Sequence, residues 1–127
     1  MLLIETFLKE TKEKGIGIFT NQDILKGDKI WYHDDFFVKT FTKNDIFWMN
    51  DISKSFIEKY AWSVDNETYY MSLDNERFIN HSFNPNVEED GLFMVAIKNI
   101  KKGEELTCDY TLFDLDSKND LGFEIKE

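Results

Sequence analysis

Short apolar runs that follow glycine turns dominate the first part of this 127-residue sequence and restrict its fold. Turns at residues 15–17 and 25–29 each lead into an apolar run, and residues 36–38 form another. Short runs between turns are typical of β-strands. No alternation of strands with long helices follows, which argues against a doubly wound sheet. Further strands are predicted at residues 30–32, 67–73, 92–97 and 106–110.

The middle of the chain changes to a helical period. Asp45 follows Thr42 at the spacing of a capping box, which marks the start of a helix. Apolar residues then recur every three or four positions, as they do on one face of a helix. These signals predict one or two short helices within residues 42–60, and a helical turn is expected within residues 74–86. The predicted apolar face consists of Met49, Ile52, Phe56 and Tyr60.

The composition supports a buried core and an acidic surface. Hydrophobic residues make up 42% of the chain and aromatic residues 16%, so burial can offset the entropy cost of folding. The net charge of −10 disfavours direct nucleic-acid binding, which needs lysine and arginine to neutralise phosphates. An acidic surface instead attracts a basic partner, although solubility alone is the simpler explanation of the charge.

Few residues in this sequence are suited to metal or disulfide chemistry. Cys108 is the single cysteine, and His33 and His81 are the two histidines, so neither an internal disulfide nor a metal site is expected. No apolar run is long enough to span a membrane, and Glu5 comes too early for a signal peptide. The expectation is a soluble intracellular protein, cytoplasmic or, in a eukaryote, nuclear.

Two polar segments carry the candidate chemistry. Residues 77–86 read R-F-I-N-H-S-F-N-P-N, and residues 103–110 read G-E-E-L-T-C-D-Y. By residue type alone, the first is a hydrogen-bonded loop in which Pro85 fixes the backbone. By the same standard, Tyr110 in the second is an ordinary half-buried strand tyrosine.

Taken together, the two segments resemble the diagnostic motifs of the SET-domain lysine methyltransferases, approximately R-F-x-N-H-S-x-x-P-N and G-E-E-L-T-x-D-Y. The glycine-x-glycine at residues 15–17 matches a third, less specific family motif. The resemblance covers residues 15–110 and is greatest to small stand-alone SET proteins. It implies a mainly β domain with a short helical insert, a SET-type β-clip of small curled sheets. It also implies a pseudoknot, in which the Asn80–His81 segment threads beneath a loop.

The resemblance also implies a cofactor, S-adenosylmethionine. In the family, main-chain groups of the glycine turn contact this cofactor, and glycine suits that role because it permits close backbone approach. The family's asparagine holds the methionine end, and the backbone of the next histidine meets the adenine, so that histidine is not expected to act as a general base. The implied cofactor-binding residues are Gly15, Ile16, Gly17, Asn80 and His81.

Tyr110 matches the catalytic tyrosine of the family. Methyl transfer requires a neutral amine, whereas a free lysine has a pKa of about 10.4. Burial in an apolar channel near a positive sulfur lowers that pKa, and the tyrosine hydroxyl can orient the amine. The implied function is methylation of an accessible lysine in a protein or peptide, with a basic segment as substrate. The alternative is a catalytically silent SET scaffold that binds protein.

The predicted organisation is a single domain, residues 1–127, with core motifs at 15–110. Residues 42–66 form a variable helical insert, and 111–127 form a tail that is a candidate lid over the site. The tail has no cysteine, so the cysteine-rich post-SET zinc module of many relatives is not expected. Three roles stay open for the apolar tail residues: a lid, a homodimer contact or core packing. These residues are Phe113, Leu115, Leu121 and Phe123.

Other aromatic and sulfur positions have two open interpretations. Trp31 or Tyr32 could line a lysine channel or belong to the core. Aromatic residues of the insert could wall a peptide groove, although packing on a helix face explains them more simply; these residues are Trp48, Tyr60 and Trp62. Cys108 stands where many relatives have Phe or Tyr, which leaves room for more methyl groups. A buried small hydrophobe is the simpler interpretation of this cysteine.

Overall fold

The computed structural model describes residues 1–114, and strands dominate this part of the chain. Two helices and two short 3-10 turns join the strands, which confirms the predicted mainly β fold with a helical insert. The strands are β1 (Thr6–Glu10), β2 (Ile16–Thr20), β3 (Lys29–Tyr32), β4 (Val38–Thr42), β5 (Thr68–Ser72), β6 (Asn80–His81), β7 (Val87–Asp90), β8 (Phe93–Ala96) and β9 (Thr107–Cys108).

The strands form small sheets rather than one continuous layer. The antiparallel pairs β1–β2 and β4–β5 are separate ribbons, and β3, β8 and β7 form a three-stranded antiparallel sheet. The pair β6–β9 is parallel, with Asn80 opposite Thr107 and His81 opposite Cys108. This pairing brings the two predicted motifs side by side. The threaded crossing of a pseudoknot stays a prediction.

The side chain of Asn86 holds the two motif segments together. Its Nδ2 donates to the Glu105 carbonyl at 2.7 Å, and its Oδ1 accepts from the Thr107 backbone N–H at 2.9 Å. The Ser82 backbone N–H donates to the Cys108 carbonyl at 2.9 Å. One amide thus satisfies main-chain groups on a short strand that could not pair fully by itself.

The helical insert begins as the capping box predicts. The Thr42 hydroxyl accepts from the Asp45 N–H at 3.1 Å, and the Asp45 carboxylate accepts from the Thr42 N–H at 2.8 Å. The helices are α1 (Lys43–Phe47) and α2 (Asp51–Tyr60), so two short helices are confirmed. The Asn50 side chain accepts from the Ser53 N–H at 2.8 Å and starts α2 as a separate helix.

The predicted apolar face of the insert is wrong. Ile52 is 83% exposed and Phe56 is 42% exposed, whereas Ile57 is the buried residue of α2. Because Asn50 caps a new helix, Met49 lies outside α2 and does not define its inward face. Ile57 is instead the residue of α2 that packs against the rest of the domain.

Two strand predictions also need correction. Phe36 and Phe37 lie in a turn rather than a strand, because the Asp34 carboxylate accepts from the Phe36 N–H at 2.9 Å. Tyr110 does not end a strand but begins a short 3-10 helix, Tyr110–Leu112. Asp109 causes that change, because its carboxylate accepts from the Thr111 N–H at 3.0 Å.

The core connects the small sheets and supports the motif residues. It includes Ile79 and Cys108, which lie within the two motif segments and are each at most 3% exposed. Burying such a side chain contributes about 1.5–3 kcal/mol. The aliphatic residues with at most 1% exposure are Ile18, Ile24, Ile30, Val87, Ile100 and Leu106.

Candidate functional site

The glycine turn before β2 lies against the first polar motif. Gly15 has a φ of 72°, a conformation that favours glycine. Gly17 is buried, and a Cβ at this position would lie 2.7 Å from Glu105 Oε2 and 3.1 Å from Asn80 Nδ2. A side chain at residue 17 would therefore occupy the space where three polar groups converge.

Asn80 connects the glycine turn to the second motif. Its Nδ2 donates to the Ile16 carbonyl at 3.3 Å and to Glu105 Oε2 at 2.9 Å. The amide is thereby fixed by one backbone oxygen and one carboxylate. The structure thus brings Ile16, Gly17 and Asn80 together, as their predicted common role requires.

His81 is a structural link between the motifs. Its ring is buried, and Nδ1 accepts from the Tyr110 backbone N–H at 3.0 Å. Its ring lies edge-on to Tyr110, with centroids 5.4 Å apart. Its carbonyl accepts from Lys14 Nζ at 2.7 Å. Because Nδ1 already holds the Tyr110 backbone, the ring is suited to positioning that residue.

Tyr110 faces the main chain of the first motif. Its hydroxyl donates to the Ile79 carbonyl, one residue before Asn80. Burial raises the pKa of this hydroxyl well above its ordinary value, so the group remains protonated near neutral pH. The tyrosine oxygen and the Ile79 carbonyl therefore form a pair of fixed dipoles at the junction of the two motifs.

Cys108 is buried beneath this junction. Desolvation raises the pKa of its thiol well above the ordinary value, with nearby carboxylates adding to the effect. A thiolate is the nucleophilic form of cysteine, and it is disfavoured here. The side chain therefore acts as a small apolar group in the core.

A small aromatic pocket of about 50 Å³ lies beside the junction. The rings of Trp31 and Trp62 meet edge to face at 6.0 Å, and His33 lies 5.7 Å from Trp31. The lining residues are Trp31, His33, Trp62, Glu76, Glu89, Gly91, Met94 and Phe113. The pocket thus combines aromatic walls with two carboxyl side chains.

The aromatic residues with two open interpretations have different surroundings in the structure. Trp31 lines it, whereas Tyr32 packs on Phe93 with centroids 5.0 Å apart. Trp62 also lines it, but Trp48 is 77% exposed on the insert. The Tyr60 ring lies 4.9 Å from Phe56, which places it in packing of the insert.

A wider groove of about 450 Å³ adjoins the pocket. It shares Glu89, Gly91 and Phe113 with the pocket, so the two are neighbours. Of the apolar tail residues, Phe113 packs on the core, while Leu115, Leu121 and Phe123 lie outside the described residues. The groove residues are Val64, Glu88, Glu89, Gly91, Cys108, Asp109, Leu112 and Phe113.

Sequence reasoning did not single out three residues of this region. Glu105 touches Asn80, Lys14 touches the His81 carbonyl, and Glu76 lines the aromatic pocket. Glu105 lies in the second motif, where it is more buried than Glu104, so strand alternation was an available signal. Lys14 and Glu76 had no such signal, because the His81 carbonyl and the pocket residue Trp31 that they respectively meet are distant in the sequence.

The fold and the two joined motifs define a SET-type domain. A model of the SET domain matches residues 15–111, so this chain belongs to the SET-domain family. No curated protein matches the sequence. Within residues 1–114, no helix is both long and apolar enough to cross a membrane.

Solved structures show the same fold. The Chaetomium thermophilum Polycomb Repressive Complex 2 bound to GSK126 is 18% identical and covers 93% of this chain, with a TM-score of 0.69. A ctPRC2 structure bound to S-adenosylmethionine is 20% identical over 93% of this chain, with a TM-score of 0.66. An active polycomb repressive complex 2 in the basal state is 21% identical over 84%, with a TM-score of 0.63. The match covers only 15 to 17% of those longer chains.

Proposed function

We propose that this protein transfers methyl groups from S-adenosylmethionine to lysine side chains of a protein substrate. The observation that carries the proposal is the convergence of the glycine turn, Asn80 and Tyr110 at the junction of β6 and β9. These elements come from distant parts of the sequence, and each matches a motif of the family. Family membership and one S-adenosylmethionine-bound structural neighbour support the same conclusion.

The residues at the glycine turn fit the methionine end of S-adenosylmethionine, which carries an ammonium and a carboxylate. The Glu105 carboxylate and the Ile16 carbonyl are acceptors suited to an ammonium. The Asn80 amide and the Lys14 ammonium can donate to a carboxylate, at the cost of their present partners. The glycine at position 17 keeps this polar space free of a Cβ.

When bound, the cofactor supplies a methyl group on a positively charged sulfur. The protein's task is to align a neutral lysine amine and exclude water from it. The Tyr110 hydroxyl and the Ile79 carbonyl present oxygen atoms that can orient the amine hydrogens. The His81 ring holds the Tyr110 backbone and thereby fixes the position of that hydroxyl.

The charge around the groove favours a basic segment as substrate. Glu88, Glu89 and Asp109 line the groove, next to the site junction. Opposite charge steers association and fixes register more than it adds affinity. One structural neighbour is a ctPRC2 in complex with H3K27me3 and H3K27M, and we extend to this chain only the general feature of a lysine-bearing peptide.

Calorimetric titration with S-adenosylmethionine and its demethylated product tests the proposal. We expect saturable binding that Asn80→Ala weakens about tenfold, because a half-buried polar contact is removed. Asn84→Ala is the matched control, since Asn84 is exposed in the same motif. Labelled methyl transfer to lysine-containing peptides is the second measurement. Absence of cofactor binding at high concentration would overturn the proposal.

A catalytically silent binding module is the second candidate. The contact that favours it is the Lys14 hydrogen bond to the His81 carbonyl, because the resemblance assigns that backbone to adenine. If Lys14 keeps this position, its ammonium group already occupies the His81 carbonyl that the adenine would otherwise contact. Peptide binding without S-adenosylmethionine binding would support the module and reject the enzyme.

A further inference from the structure

The aromatic pocket adjoins Tyr110 through its lining residue Phe113, whose ring lies 6.0 Å from that of Tyr110, and it contains the carboxyl group of Glu76. Glu76 lies in the 3-10 turn Asn75–Phe78 and lines the pocket together with Trp31, His33 and Trp62. The Ser72 hydroxyl, which is fully buried, donates to Glu76 Oε2. The carboxyl is thus fixed from the side of β5.

Glu76 lacks a cationic side chain as a partner. Among residues 1–114, no lysine, arginine or histidine nitrogen lies within 4.0 Å of its carboxylate. The nearby Met1 ammonium pairs with Asp74 instead, at 3.9 Å. A buried carboxylate without a countercharge is costly, so a cation entering the pocket gains its charge as a partner.

The aromatic walls favour the same kind of guest. A cation over the face of a tryptophan or tyrosine ring is attracted by the ring quadrupole, more strongly where water is excluded. A pocket of about 50 Å³ is the size of a headgroup rather than of a whole side chain. Aromatic rings, a carboxyl group and a small volume together favour an ammonium group as the guest.

We propose that Glu76 binds the ammonium headgroup of the substrate lysine in this pocket and accepts the proton that the amine must lose. This inference rests on the proposed function. In the step, an N–H bond of the ammonium breaks and an O–H bond forms on the Glu76 carboxylate. The nitrogen keeps the electron pair of the broken bond, which is the lone pair that methyl transfer requires.

The ionisation of Glu76 suits a proton acceptor. Burial raises the pKa of this carboxyl from 4.5 to about 7, while the Ser72 hydrogen bond opposes the increase. A base is most efficient when its pKa lies near the working pH. The titratable groups around it are the Met1 ammonium, Asp74, His33, Glu89, Cys108 and Tyr110.

Binding of butylammonium is the first test, because it requires neither cofactor nor turnover. Trp31 and Trp62 line the pocket and report binding by fluorescence, and Trp48→Phe removes the exposed background emission. Above the pKa of Glu76, butylammonium should bind and the neutral isostere butanol should not. Glu76→Gln keeps an acceptor for Ser72 and should weaken butylammonium about tenfold. Glu58→Gln, on the exposed side of α2, should have no effect.

The wild-type protein provides a test that does not depend on a variant. Its affinity for butylammonium should fall as the pH falls through about 7, because the carboxyl becomes neutral. A pH-independent affinity, or equal affinity in Glu76→Gln, would overturn the inference.

The pH profile of methyl transfer separates this inference from the proposed function. Glu76→Gln should lower kcat about 100-fold and remove the acid limb near neutral pH, with unchanged S-adenosylmethionine affinity. An unchanged profile rejects the role of Glu76 but leaves the enzyme in place. Failure to bind S-adenosylmethionine rejects the enzyme, whereas the butylammonium result still decides whether Glu76 binds an amine.

Discussion

The glycine-turn region and the aromatic pocket differ in how their contacts are made. In the turn region, backbone carbonyls and short polar groups meet through Asn80, whose contacts run to Ile16 and Glu105. In the pocket, long side chains from β3, the helical insert and β8 surround the carboxyl of Glu76, which a 3-10 turn supplies. Because the first region depends on backbone geometry, the sequence motifs identify it. The second depends on the side chains of residues such as Trp31, Trp62 and Glu76, which lie outside those motifs.

Loss of the hydroxyl between the two regions should have the largest effect. We expect Tyr110→Phe to reduce methyl transfer by at least about 100-fold, because the group that orients the amine is removed. S-adenosylmethionine affinity should remain within about twofold, since Asn80 and the turn are untouched. Labelled methyl transfer and calorimetry measure the two quantities. Full turnover by this variant would show that the Tyr110 hydroxyl has no role in methyl transfer.

A substitution confined to the turn region should affect the cofactor alone. In Gly17→Ala, the new methyl group would lie 2.7 Å from Glu105 Oε2 and 3.1 Å from Asn80 Nδ2. Displacement of both groups should weaken S-adenosylmethionine binding at least about tenfold. Butylammonium binding to the pocket should stay unchanged. If both affinities fall together, the two regions are one site and the comparison fails.

The pH dependence of stability probes the pocket alone and requires neither cofactor nor ligand. Glu76 has a folded-state pKa of about 7 against 4.5 when unfolded, so the folded protein holds the proton more tightly. Stability from this group is therefore full below pH 4.5 and is lost as the pH rises to about 7. Relative to Glu76→Gln, the wild type should lose about 3 kcal/mol across that window. Urea unfolding measures it, and parallel pH curves for the two proteins would contradict it.

The sequence predicted features that depend on local or motif residues, as in the glycine-turn region, better than features that depend on tertiary packing, as in the aromatic pocket. The capping box of Thr42 and Asp45 was predictable because both partners lie within one helical turn. The joining of Asn80 to the glycine turn followed from the resemblance to the family. The buried face of α2 was not predictable, because Ile57 is selected by the surface that the helix packs on.

The aromatic pocket was outside the reach of sequence reasoning for a related reason. Trp31 and Trp62 were candidates, but nothing in the pattern placed Glu76 between them. Glu76 immediately precedes the first motif and reads as an ordinary surface acid. Only the tertiary arrangement of β3, β5 and the 3-10 turn shows that its carboxyl is enclosed.

The hydrogen bonds by which the Asn86 side chain joins the two motif segments have a consequence for how the proposed cofactor site forms. Asn86 and Thr107 are 21 residues apart, and their contact closes a loop between segments that pair in parallel. Closing a loop between distant segments costs chain entropy before the stabilising contacts form. We therefore expect this loop to close late in folding. A chain with its ribbons formed but this loop open would lack any cofactor site. Cofactor binding during refolding would therefore report the final closure of the chain.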